Sequence, residues 1–177
     1  MRPKTFLLLA LLAIVPAGAG CSPIAPDKPK VIPCDSAYGK SSEANIRSCT
    51  AELAKPGLTE IDRAVLHGVR ANNYFDLKQY DRAIADYSET IRLSHVNLDY
   101  AFANRGLAKC ASGDCKAALA DYDAALRVDP KNSYARYGRG VARLRSGDSI
   151  GGNADILQAR SEDPDVERLY RQIGMTP

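Results

Sequence analysis

The feature that most constrains this chain is that it matches itself. Ala83, Tyr87, Thr90 and His95 recur as Ala118, Tyr122, Ala125 and Pro130, 35 residues on, and as Gly152, Ile156, Ala159 and Pro164 after a further 34. The segments VRANNYF (69–75), NRGLAKC (104–110) and GRGVARL (138–144) superimpose in the same register, with Arg70, Arg105 and Arg139 aligned. A period of this length means a stacked array: one unit cannot bury its apolar face alone, so about three copies are needed for stability. Further upstream Ala44, Ser48, Ala51 and Pro56 keep only the second half of the pattern.

Each unit reads as a pair of helices. Asp99–Ala111 and Cys115–Val128 are helically periodic and are split by the turn Ser112-Gly113-Asp114. Gly106, Ala118 and Ala125 are small enough to let two antiparallel helices approach, and Phe102 and Tyr122 fill the space beside them. After the last copy, Asp163 and Pro164 form a helix start. Val166, Leu169, Tyr170 and Ile173 then make an i, i+3, i+4, i+7 stripe suited to covering the exposed end of the array. The third copy departs most from the pattern. Gly151 and Gly152 stand where its second helix should begin, each costing about 1 kcal/mol in a helix interior. That helix is expected to start late, or the C-terminal end to be the loosest part of the array.

The period, the small residue near the eighth place and the Ala-x3-aromatic in the second half resemble the tetratricopeptide repeat (TPR) family. The best copy is Asp99–Asn132, although Arg105 replaces the family's usual Leu and Lys109 its usual Tyr. The resemblance implies an all-α, right-handed TPR solenoid of antiparallel helix pairs with a C-terminal capping helix. The expected divisions are an export signal at 1–20, a Pro-rich tether at 21–40 and a degenerate half repeat at 41–58. Three repeats follow at 64–97, 99–132 and 133–166, and a cap at 163–174.

The resemblance also implies a non-enzymatic scaffold that holds a protein or peptide client on the concave face. The family's lining positions fall on Val65, Gly68, Asn72, Phe75 and Asp76 in the first copy and on Tyr100, Ala103, Asn104, Leu107 and Ala111 in the second. In the third they fall on Tyr134, Tyr137, Val141, Leu144 and Arg145. Tyr100, Tyr134 and Tyr137 would be rigid anchors of the kind binding hot spots favour; the alternative is that they pack between helices. Chaperone-binding members grip a C-terminal carboxylate with two asparagines and three basic residues. Asn72 and Asn104 match the asparagines, but the basic positions hold Gly68, Tyr134 and Gly138. A more apolar or aromatic groove is therefore expected.

The aligned arginines each have an acid sixteen positions later, Asp86, Asp121 and Asp155. Ligands are not periodic, so this reads as one intrarepeat ion pair used three times, each worth under about 1 kcal/mol if exposed.

Arg2 and Lys4, the apolar run Phe6–Val15 and the small-residue tract before Cys21 read as an export signal. The run is short of the ~20 apolar residues of a spanning helix. Gly18-Ala19-Gly20-Cys21 resembles a bacterial lipoprotein signal with lipid on Cys21, although Gly18 stands where Leu, Val or Ile is usual. Ala17-Gly18-Ala19 also fits release of a soluble protein after Ala19. Five cysteines suit the lipidated reading, since Cys34–Cys49 and Cys110–Cys115 can then pair in an oxidising compartment. Cys110 and Cys115 could instead be packed thiols. A thiol-redox or metal-binding envelope protein is the competing function, but the pair lacks the C-x-x-C spacing of redox and zinc sites.

Net charge is +3, with two of those charges on Arg2 and Lys4, a balance that argues against a nucleic-acid binder, which normally carries a basic stripe. His67 and His95 have no carboxylate at metal spacing, and Gly138-Arg-Gly140 lacks the third glycine of a dinucleotide loop. No cofactor is implied. Self-association of the array ends is a further expectation for partners.

Overall fold

The computed structural model describes residues 41–96 and 98–177. These form eight helices: α1 (Ser42–Leu53), α2 (Glu60–Asp76), α3 (Tyr80–Leu93), α4 (Leu98–Ala111), α5 (Cys115–Val128), α6 (Ser133–Arg145), α7 (Ser149–Glu162) and α8 (Val166–Gln172). The pairs α2/α3, α4/α5 and α6/α7 are the three hairpins of the repeat, and each stacks on the next through α3/α4 and α5/α6. The half repeat is α1, packed on α2, and α8 closes the other end against α6 and α7. The result is an all-α solenoid. The expected export signal, Cys21, the expected Pro-rich tether and Cys34 with its expected pairing to Cys49 lie outside the described residues. Cys49 is buried between α1 and α2 beside Leu66.

Local sequence explains where the helices start and stop. Thr59 and Asp62 cap each other's backbone, so α2 begins at Glu60, a turn ahead of the aligned start at Ala64. The three hairpin turns share one geometry. A residue with positive φ (Lys78 at 59°, Gly113 at 106°, Gly147 at 94°) ends the first helix. The next amide then donates five residues back, from Gln79 to Tyr74, Asp114 to Lys109 and Asp148 to Arg143. This is a Schellman closure, normally built on glycine. Asp114 and Asp148 then cap the following helix through the amides of Ala117 and Gly151, both at 2.9 Å. Gln79 makes no such bond. Across the α4–α5 turn the sulfurs of Cys110 and Cys115 lie at disulfide distance.

The expectation of a late start for α7 is corrected: it runs from Ser149 straight through both glycines. The reason is packing. A Cβ on Gly152 would sit 2.9 Å from the Gly140 carbonyl oxygen and 2.7 Å from Leu144 Cγ, and one on Gly140 would sit 2.9 Å from the Gly152 oxygen. The two glycines are the point at which α6 and α7 touch backbone to backbone, so packing outweighs helix propensity there.

The arginine–aspartate pairs form as aligned, but they are not surface contacts. Asp86, Asp121 and Asp155 are buried, each gripped by two hydrogen bonds from its arginine. Each also meets a second cation or imidazole from the same helix: His67, Lys109 and Arg143 respectively. The remaining arginine nitrogen reaches back to the preceding repeat, from Arg70 to Thr50, Arg105 to Ser88 and Arg139 to Asp123. Each arginine therefore ties three helices together, and losing one partner strands a buried charge, a loss on the order of 3 kcal/mol rather than a fraction of one.

Candidate partner-binding groove

The first helices of the repeats, α2, α4 and α6, together with α8, line two adjoining cavities. One, of about 250 Å³, is walled by apolar side chains including Val65, Val69 and Tyr100, with Val96 at its edge. The other, of about 270 Å³, has Phe75 and Leu107 on one side and Leu169 and Ile173 on the other. Asn72, Tyr87 and Asn104 belong to both, so the two form one channel along the array. The Tyr87 hydroxyl donates to Asn72 Oδ1 at 2.7 Å, which fixes the amide at the junction. Burial pushes the Tyr87 phenol above its usual range, so it remains a neutral donor.

The structure brings together Asn72, Phe75, Tyr100, Asn104, Leu107 and Tyr134 along this channel. Tyr100 is 59% exposed, the profile of a contact residue; Phe75 is half-buried and also packs on Tyr80 with ring centroids 5.4 Å apart. Six expected members do not belong: Ala103 and Val141 are fully buried, Ala111 and Leu144 line neither cavity, and Tyr137 and Arg145 are drawn elsewhere. Tyr137 is fully buried, with its ring 4.8 Å from that of Tyr170, and offers a partner nothing. Arg145 turns away from the channel toward the C-terminal residues, donating to the Thr176 carbonyl at 3.1 Å and contacting Met175 Sδ at 3.5 Å.

Both displacements come from the C-terminal segment: helix α8 covers Tyr137, and residues 175–176 beyond it hold Arg145. Tyr170 of α8 is inserted against α6, where its hydroxyl donates to the Tyr134 carbonyl at 2.9 Å and its ring stacks 4.9 Å from that of Tyr134. A side chain at position 138 would collide with the Tyr170 hydroxyl and the Tyr122 ring. The cap thus occupies the space in which a carboxylate-gripping member would hold one of its cations. Val166 and Tyr170 point into the core, whereas Leu169 and Ile173, 43% and 40% exposed, face the channel. Sequence reasoning gave all four residues the capping role. The sequence carried no signal of this division, because i, i+3, i+4 and i+7 share one face of a helix.

Asp76 also lines the second cavity. It is the last residue of α2, where a negative charge opposes the helix dipole. Desolvation raises its carboxyl pKa above the usual value. Among the described residues it makes no hydrogen bond or ion pair. Cys110 and Cys115 are withdrawn from solvent, 2% and 8% exposed, so the pair is placed to pin the turn rather than to meet a substrate. No group of three metal-ligating side chains occurs among the described residues.

Comparison with known proteins agrees with this architecture. A TPR-repeat family model matches residues 106–147, from the middle of α4 through α6. The chain is 40% identical over 73 residues to RNA polymerase II-associated protein 3 of Xenopus tropicalis, covering 41% of this chain and 11% of that protein. It is 28% identical over 122 residues to serine/threonine-protein phosphatase 5 of Rattus norvegicus, covering 67% of this chain and 24% of that one. The chain therefore spans only a small part of either relative. Among solved structures, the second TPR domain of human RPAP3, in complex with the HSP70 peptide SGPTIEEVD, superimposes with a TM-score of 0.55 and 25% identity. The match covers 64% of this chain and 97% of that one. TPR domains mediate protein–protein interaction, and here the repeat that the sequence displays folds into a hairpin array similar to theirs, with the TPR-repeat model matching the central part of the chain.

Proposed function

We propose that this protein is a non-enzymatic adaptor of the bacterial cell envelope that holds a segment of a client protein in the channel along α2, α4, α6 and α8. The observation that carries the reading is the continuity of two open cavities through Asn72 and Asn104. The channel is preformed by packed helices, so little ordering is lost on this side when a segment binds. The RPAP3 domain, a structural neighbour, holds a peptide. The envelope location is supported by the sequence of the first 21 residues, and attachment is through lipid on Cys21.

In-cell photo-crosslinking tests the adaptor reading. A photoreactive residue at Tyr100 and another at Asn104 should capture the same protein, and one at the exposed Arg127 on α5 should not. Equal capture at all three positions, or none, would reduce these residues to packing and solvated surface. Membrane fractionation of a Cys21→Ala variant tests the anchor, since a lipidated protein would move to the soluble fraction and an unlipidated one would not change.

A further inference from the structure

The channel is uneven in charge. Among the described residues lining its two cavities, Asp76 alone is charged, and the rest are apolar, aromatic or neutral polar. No cation stands at the places where a carboxylate would be gripped: Gly68 faces Thr90, Tyr134 is stacked on Tyr170, and the space over Gly138 is filled. An acidic peptide end would meet only the Asp76 carboxylate, an exposed like charge beside apolar side chains. The Asp76 position is itself unfavourable for the free protein, at a helix C-terminus and without a partner, and such a charge is relieved by a cation. Beside it, Leu169 and Ile173 present exposed apolar surface at the α8 end, and Tyr100 does so at the other, next to the partly buried Val65 and Val69.

We infer that the occupant is an apolar segment carrying one lysine or arginine, whose cation pairs with Asp76 while its neighbours pack on Leu169 and Ile173. This rests on the adaptor reading and adds the chemistry of the client to it. The pairing is a charge-assisted hydrogen bond formed on binding, so it sets orientation and register along the channel. The cap helix then has two functions, closing the core with Val166 and Tyr170 and walling the client site with the other two residues.

The test is selection of a random dodecapeptide library, displayed with blocked and with free C-termini, on the purified protein and on Asp76→Asn and Asp76→Lys variants. Circular dichroism verifies that both variants fold, which is expected because Asp76 makes no intramolecular bond among the described residues. The parent should enrich apolar sequences with a single Lys or Arg, whichever terminus is displayed. A recovered peptide should lose about tenfold in affinity on Asp76→Asn, or when its cation is replaced by Gln, the change expected for one charge-assisted hydrogen bond. Asp76→Lys should select a Glu or Asp in its place. Peptides that bind the parent and Asp76→Asn equally, or that carry an acidic free end, overturn this inference and leave the channel as a binding site. No enrichment with any library overturns the adaptor reading and the inference together. If sedimentation then shows a dimer, the channel belongs to a second copy of this chain.

Discussion

Asp86 is buried, and its chemistry shows what the ladder contributes at the scale of one residue. Burial raises its carboxyl pKa, but hydrogen bonds from Arg70 and His67 outweigh that and hold it below the usual range. A carboxyl whose folded pKa is depressed contributes stability above its unfolded value of about 3.9 and loses it as pH falls through the folded value. Asp86→Asn should therefore lower stability at neutral pH by about 3 kcal/mol and flatten the acid limb of the unfolding curve below pH ~4. Urea titrations at several pH values would show both effects; a parallel downward shift at all pH values would mean that the carboxylate is not ionised in its pair. The pairing itself was legible in the sequence, because the same two residues recur sixteen apart in every copy. The bond from each arginine to the repeat before it was not. Its acceptors are Thr50, Ser88 and Asp123, three different residues that an alignment of repeats averages away.

Among the elements, the hairpin turns are the most uniform feature, and the first of them is the exception. Lys78 holds the left-handed conformation that Gly113 and Gly147 take in the other two turns. Lys78→Gly should raise stability by about 0.5–1 kcal/mol, the side-chain strain relieved less the extra entropy of glycine in the unfolded chain. A change of midpoint in thermal or urea unfolding would measure it, and a loss of stability would mean that Lys78 is held there by a contact worth more than the strain. The opposite substitution tests the α6–α7 contact. Gly152→Ala gains about 1 kcal/mol of helix propensity. It also drives a methyl toward the Gly140 carbonyl and Leu144, an overpacking loss of about 1–3 kcal/mol. Net destabilisation of up to about 2 kcal/mol is expected, whereas stabilisation would show that the two helices separate without loss. Propensity alone pointed to a late-starting helix here, because close approach between two glycines in different helices has no periodic signature.

Across the whole molecule, the repeat period and its hairpins were readable because each copy supplies evidence for the others. Helix α8 has no copy and no register to borrow, and this is where the sequence said least. Its two sides decide both the fold's C-terminal closure and the shape of the channel, and together with the residues that follow it they explain why Tyr137 and Arg145, placed in the groove by family position, lie elsewhere. Asn72 and Asn104 were legible as groove residues by that same position; what surrounds them was not. The central claim is that one channel, completed by α8, receives the client. Amide resonances followed by NMR during titration with a peptide selected on this protein test it most directly. The account predicts shifts concentrated at Asn72, Asp76, Asn104, Leu169 and Ile173, with Ile150 and Leu157 on α7 unmoved although they are 88% and 65% exposed. Shifts centred on α7, or confined to α2 and α4 with α8 silent, would contradict it.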